Sequence, residues 1–252
     1  MKNRVFLSIA LGLAVAVTAA AQQPASASPA SSNRTDLYHV HFVKAAPGKT
    51  TELLNSLRTP PADTAMPTHE LILRHLQGDD WDFAVIQHLG TKAVVELSSP
   101  APAAERELRA WHSDTYVQGP SWAEFSKAMG IGGPQSGAAP AGSDLYIVGV
   151  YQGAPGHRAQ LEDTLKKVIA SGLRPGEDVL LQHREGSPWD YVHITHFNGW
   201  NDVAAQQDDK EAPARAKKAG MTQDPGLELR QHVASHHDTI ANRVAVQSPA
   251  SK

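Results

Sequence analysis

GDDWDFAVIQHLG, residues 78–90, and GSPWDYVHITHFN, residues 186–198, are two spellings of one phrase: Gly, three residues on Trp-Asp-aromatic, then Ile and His at matching places. The two lie 108 positions apart. The same offset aligns Asp36-Leu37-Tyr38 with Asp144-Leu145-Tyr146, and Ala46-Pro47-Gly48 with Ala154-Pro155-Gly156. It holds without a gap from Asp36 to about Val95, so the chain carries an internal repeat. Farther on, His112-Ser113-Asp114-Thr115 matches His236-His237-Asp238-Thr239 at an offset of 124, which gives the second copy a longer insert. IGGPQSGAAPAG (131–142) lacks the Lys-Ser/Thr of a phosphate loop and reads as a linker.

Each copy has the same order of periodicities. LYHVHFV (37–43) and LYIVGVY (145–151) are β-rich openings. A helical stretch follows Pro-Gly in both; in the second, Leu161, Leu165, Val168 and Ile169 share one face and Gly172 ends it. ELILRHLQ (70–77) and DVLLQHRE (178–185) read as second strands, and the Trp-Asp phrases as third strands. Polar helical regions are expected over about 91–111 and 201–218. SWAEFSKAMG (121–130) reads as helix and HVASHHDTIANRVA (232–245) is ambiguous, so no fourth strand stands out. In this reading Gly78 and Gly186 form the hairpin turn, the Trp caps the next strand, and Asp82 and Asp190 bond turn amides.

The ends differ from the body. Residues 1–21 have a basic start (Lys2, Arg4), an apolar run from Val5 to Val17 and small residues at Ala19 and Ala21, the pattern of a cleaved secretory signal. The run is shorter than the roughly 20 residues a spanning helix requires. Residues 22–35 read as a disordered leader, 36–131 and 144–245 as the two repeats, 132–143 as the linker and 246–252 as a disordered tail. The expected product is exported, periplasmic or secreted, with no membrane attachment after signal removal. Without residues 1–21 it holds 21 Lys plus Arg against 26 Asp plus Glu, and no basic patch calls for nucleic acid. The chain has no cysteine, which excludes disulfides, thiolate metal sites and cysteine nucleophiles.

A duplicated β-α-β-β-α unit of this size resembles the dimeric α/β-barrel superfamily of ferredoxin-like domains. That group includes antibiotic-biosynthesis monooxygenase-like proteins, haem-degrading monooxygenases and chlorite dismutase. The resemblance covers about 36–245 and implies an α+β fold: two tandem ferredoxin-like repeats packed as an intramolecular dimeric α/β barrel, a monomer acting as a pseudo-dimer, with higher oligomers open.

Histidines recur with the repeat: His75, His88 and His112 return as His183, His196 and His236. On alternation, Leu71, Leu73 and His75 share a face, as do Ala84, Ile86 and His88, with Tyr38, Val40 and Phe42 beside them. If these faces pack under the helices, Tyr38, His75, His88 and His112 line a sheet-to-helix cavity, and Tyr146, His183, His196 and His236 its counterpart. These eight are the ligand-binding candidates. The opposite faces, with His39, His41, Arg74, Gln87, Gln182, Arg184, His193 and Thr195, form a rival pocket between the halves. His75 and His88 fall on the order of 10–15 Å apart, too far for one ion with bonds of about 2 Å, so no metal is expected. No cofactor is expected, although His112 and His236 could each offer haem an axial nitrogen. No Ser-His-Asp, GxSxG, HExxH or Walker pattern selects a reaction. Two readings stand: an exported binding protein for a small organic molecule, or a cofactor-independent monooxygenase-like enzyme acting on a small aromatic or polyketide-like substrate.

Overall fold

Apolar residues at every second position let a strand bury one face, and here many strands bury both. The computed structural model describes residues 34–59, 69–91, 103–131, 144–173, 176–207 and 209–245. The signal, the linker, the tail and most of the leader lie outside the described residues. The elements run β1 (Asp36–Ala45), α1 (Thr50–Leu57), β2 (Glu70–Gln77), β3 (Phe83–Gly90), α2 (Ala103–Arg106), β4 (Arg109–Gly119) and α3 (Trp122–Ala128). They continue with β5 (Leu145–Gly153), α4 (Arg158–Ala170), β6 (Glu177–Gly186), β7 (Tyr191–Phe197), α5 (Trp200–Gln207), α6 (Ala212–Lys218), α7 (Pro225–Arg230) and β8 (Val233–Val244). Among the described residues no helix is long and apolar enough to cross a membrane.

All strand pairs are antiparallel, and the sheet closes on itself in the order β1-β3-β2-β8-β5-β7-β6-β4. The first four strands are ordered β4-β1-β3-β2 and the last four β8-β5-β7-β6, the same order in each half. The halves join edge to edge, β2 with β8 and β4 with β6, so no strand edge is left open. The fourth strand that the sequence did not reveal therefore exists twice. Arg109, Ala110 and Trp111, placed in a helical region by sequence, open β4 instead.

The faces are the reverse of the sequence expectation. Tyr38, Val40, Phe42, Leu71, Leu73, Ala84 and Ile86 pack in one cluster with Tyr146, Val148, Val179, Leu181, Val192 and Ile194 from the other half. Residues of both halves can meet only inside the barrel, so this face fills the interior rather than lying under helices. A small barrel has to be filled by side chains, and the larger residues go there. The helices cover other residues: Val43, Ala45 and Phe83 meet Leu53 of α1, and Tyr151 and Tyr191 meet Leu161 and Leu165 of α4. His39, His41, His193 and Thr195 thus belong to the outer face and not to a space between halves.

Asp82 Oδ2 accepts the Ala45 amide at 2.7 Å and Asp190 Oδ2 accepts the Gly153 amide at 2.8 Å. The pairing register shifts just before each of these residues, between Lys44 and Ala45 and between Gln152 and Gly153. Each carboxylate supplies an acceptor where the ladder is interrupted. Arg34 lies in the stretch read as a disordered leader, yet it pairs with Glu162 at 2.8 Å and stands over the Tyr191 ring. A buried carboxylate with a ready cation partner orders that residue, a contact that composition cannot show.

Candidate functional site

The recurring residues divide between the two ends of the barrel and its outside. At one end α3 sits over the interior, with Phe125 and Met129 packed into the core. Tyr38 donates to the Pro120 carbonyl at 2.8 Å and Tyr146 donates to the Met129 carbonyl at 2.9 Å, so the tyrosines hold the segment that closes this end. Burial, with nearby negative charge at Tyr38, raises both hydroxyls well above the ordinary tyrosine range. They are anchors, not acids poised for neutral pH.

His88 lies at the same end. Its Nε2 meets Asp36 Oδ2 at 2.7 Å, and its Nδ1 is 3.1 Å from Nδ1 of His69. Asp36 Oδ2 also accepts the Trp122 amide at 3.0 Å. The Trp122 ring stacks on His69 and His88, with centroids 4.6 and 5.4 Å away. Burial, then the His88 charge, lowers the His69 pKa. In the second half Tyr146 stacks on His196 at 4.9 Å, but Asp144 is taken by Arg243 at 2.9 Å and stands 3.9 Å from His196. His196 bonds the Ala128 carbonyl at 3.2 Å, and burial lowers its pKa. These contacts lock α3 in place; the aspartate partners were absent from the sequence reading.

His75 does not join Tyr38. The strand register puts His69 level with His88, and His75 six residues along β2, which is about 20 Å away. It meets the edge of Trp81 at 5.7 Å, and His183 meets Trp189 likewise at 5.6 Å. Nε2 of each is buried without a hydrogen-bond partner. Burial, then the Arg158 charge, lowers the His183 pKa. His112 and His236 are outside the barrel: His112 pairs with Asp114 at 3.2 Å, and His236 stacks on Tyr151 at 5.7 Å. They pair with Val43 and Tyr151, which face outward under helices, so they cannot line the interior. A haem bound through them would have to sit against the outer wall.

The end opposite α3 holds a cavity of about 140 Å³ lined by Phe42, Asp79, Trp81, Trp111, Ser113, Val150 and Trp189. Trp81 lies 5.6 Å from Phe42, and Phe42 lies 6.4 Å from Trp189. Ser113 and Ser187 touch through their hydroxyls. The two tryptophans of the repeated phrase, read from sequence as folding caps, thus form walls of one opening, each from its own half. Phe42 and Trp111 add aromatic surface from the first half only; Val150 stands where the repeat has Phe42. Three indoles, a phenyl ring and few polar groups suit a planar apolar ring system, with Asp79 and Ser113 able to orient a polar substituent. The recurrence of Trp81 as Trp189 carried the signal that could have found this mouth.

The fold is one that solved structures share. The chain resembles an anthrone oxidase-like protein at a TM-score of 0.56 and 13% identity, covering 86% of this chain and 94% of that one. A "putative monooxygenase" from Lactobacillus acidophilus aligns at a TM-score of 0.49 and 8% identity over 83% of this chain and 94% of its own. At 13% identity the first likeness concerns the fold alone, a mixed α/β arrangement with an eight-stranded antiparallel sheet. No protein-family model matches the chain, and no curated protein matches it.

Proposed function

We propose that this chain is an exported binding protein for a small planar aromatic molecule. It is built as two ferredoxin-like repeats forming an intramolecular dimeric α/β barrel, and it takes one ligand at the mouth between Trp81 and Trp189. The observation that carries the reading is the aromatic lining of that mouth by residues of both halves. A closed apolar cavity of roughly 150 Å³ accepts a benzene ring, so a mouth of about 140 Å³ suits one or two fused rings with the remainder in solvent. Because the opening combines both halves, one molecule binds per chain rather than one per repeat. Export rests on the charge, length and cleavage pattern of residues 1–21.

The test is calorimetric titration with 1-naphthol as probe. Wild type should bind one equivalent, and Trp81→Ala or Trp189→Ala should weaken binding by about tenfold or more, since stacked aromatics contribute about 0.5–1.5 kcal/mol beyond burial. Equal binding by both variants would remove the mouth as the site.

A second reading, oxidation of the bound aromatic, is favoured by the unpartnered nitrogens of His75 and His183 behind the two tryptophans. A ring methylene of the anthrone type would lose both hydrogens to O2, one oxygen staying as carbonyl and the other leaving as water. A neutral imidazole would take the first proton. Oxygen uptake with anthrone, lost in His75→Gln with His183→Gln while naphthol binding persists, separates this reading from binding alone.

A further inference from the structure

The two sides of the mouth differ in charge. Trp81 and Trp189 precede β3 and β7, and Phe42 and Val150 lie on β1 and β5; each pair comes from strands four places apart in the eight-strand ring. The apolar walls therefore face one another across the opening. The polar residues are divided in the same way. Asp79 is held against β8, its amide donating to Thr239 Oγ1 at 3.1 Å, and Ser113 lies on β4, the strand opposite β8 in the ring. The repeat breaks at both places: Ser187 stands where the first half has Asp79, and His237 where it has Ser113. One side of the mouth is thus acidic, and the other carries the touching hydroxyls of Ser113 and Ser187.

We infer that the planar ring system taken at this mouth carries a positive charge, with its cationic end at Asp79. The inference rests on the mouth being the binding site. Asp79 is the one charged residue in the described lining; the rest is three indoles, a phenyl ring, a valine and a serine hydroxyl. Aromatic ring faces carry negative charge density and attract cations, indoles most strongly. A carboxylate beside them adds a full negative charge, so the rings and the acid select the same sign. Among the described residues none forms an ion pair with Asp79: Lys44, on β1, pairs instead with the neighbouring Asp80 at 3.2 Å. Asp79 is also half-buried, which leaves its charge less screened than that of a fully exposed carboxylate.

An aromatic carboxylate would meet like charge at Asp79 and ring faces of the wrong sign, which disfavours the anionic members of the class. A neutral ring gains burial and stacking alone. A heteroaromatic cation of one or two fused rings, or an aryl-alkylamine protonated at neutral pH, gains those and the attraction as well. Because the mouth is open, the charge stays partly hydrated, and the desolvation that makes buried charges costly is reduced. The hydroxyls of Ser113 and Ser187 are placed to meet a hydrogen-bonding group at the far edge of the ring. One orientation follows, since the second half offers Ser187 in place of a carboxylate.

The test is calorimetric titration of the full chain with N-methylquinolinium, 1-naphthol and 1-naphthoate, which are a cation, a neutral molecule and an anion on two fused rings. Wild type should bind N-methylquinolinium at least about tenfold more tightly than 1-naphthol, and 1-naphthoate most weakly. Asp79→Asn keeps an oxygen for the Asp80 amide, which Asp79 Oδ1 accepts at 3.0 Å, so the turn is retained. It should cut the preference for the cation over the neutral ring by about tenfold. Asp80→Asn, outside the lining and paired with Lys44, should change that preference by less than about twofold. Binding of 1-naphthol with equal or weaker binding of N-methylquinolinium would overturn the charge assignment and leave the mouth standing as a site for neutral rings. A preference for the cation that survives Asp79→Asn would overturn the assignment as well. Binding of none of the three would overturn both it and the mouth.

Discussion

Gly78 lies directly against Thr239: a Cβ built on the glycine would stand 2.7 Å from the Thr239 Cα and 2.5 Å from the Asp238 carbonyl oxygen. Gly186 bears the same relation to Thr115 and Asp114, with contacts of 2.9 and 2.3 Å. Both glycines have left-handed φ, 130° and 119°. The next amide completes the match, Asp79 N–H donating to Thr239 Oγ1 and Ser187 N–H to Thr115 Oγ1, each at 3.1 Å. Each half thus places its hairpin glycine on the fourth strand of the other. Gly78→Ala or Gly186→Ala combines a disfavoured φ with a backbone clash, and each should cost about 1–3 kcal/mol or more. Urea unfolding checks this; an unchanged midpoint would mean that the seam can open without cost.

Asp36 serves both His88 and the Trp122 amide. Asp36→Ala removes a carboxylate from two buried donors, and a hydrogen bond to a charged group contributes about 1.5–3 kcal/mol. The expected loss of stability should come with exposure of Trp122, seen as a red shift in its emission. A stability loss without that shift would show that Asp36 does not hold α3.

Burial pushes the Glu70 carboxyl up to about 7. An ordinary unfolded Glu titrates near 4.3, so between roughly pH 4.5 and 7 the folded chain holds a proton that the unfolded chain has released. The Glu70 contribution is therefore complete below that window, falls as pH rises through it and levels above about 7. Urea midpoints at pH 5 and pH 8 for wild type and Glu70→Gln test the sign. The variant should gain on wild type at pH 8, and a gap that does not widen with pH would contradict the assignment.

Six of the eight strands were legible because their inward positions are apolar at every second residue, as in Leu71 and Leu73 or Val192 and Ile194. β4 was not, because its inward residues Trp111, Ser113, Thr115, Val117 and Gly119 alternate with His112, Asp114, Tyr116 and Gln118, which leaves no amphipathic pattern. β8 hides for the same reason, with Ser235, His237 and Thr239 inward. Gly119 is small because a Cβ there would reach 2.5 Å from Leu181 and 3.0 Å from the Tyr38 ring. The faces were misassigned because helices were taken as the only cover for apolar residues, whereas ring closure creates a second and larger interior. That reading also placed His112 in the cavity, whereas it pairs with outward-facing Val43 on the outer wall; His75 shares the inner face with Tyr38 but lies six residues along the strand register. The mouth was hidden because Trp81 and Trp189 lie far apart in sequence and meet only when both halves close one ring.

The central claim is that one aromatic ring system enters between Trp81 and Trp189, and a crystal structure of the chain soaked with 1-naphthol tests it most directly. The account predicts a single ring system per chain in contact with Phe42, Trp81, Trp111 and Trp189. An empty mouth with the molecule seated under α1 or α4, or two molecules related by the repeat, would contradict it.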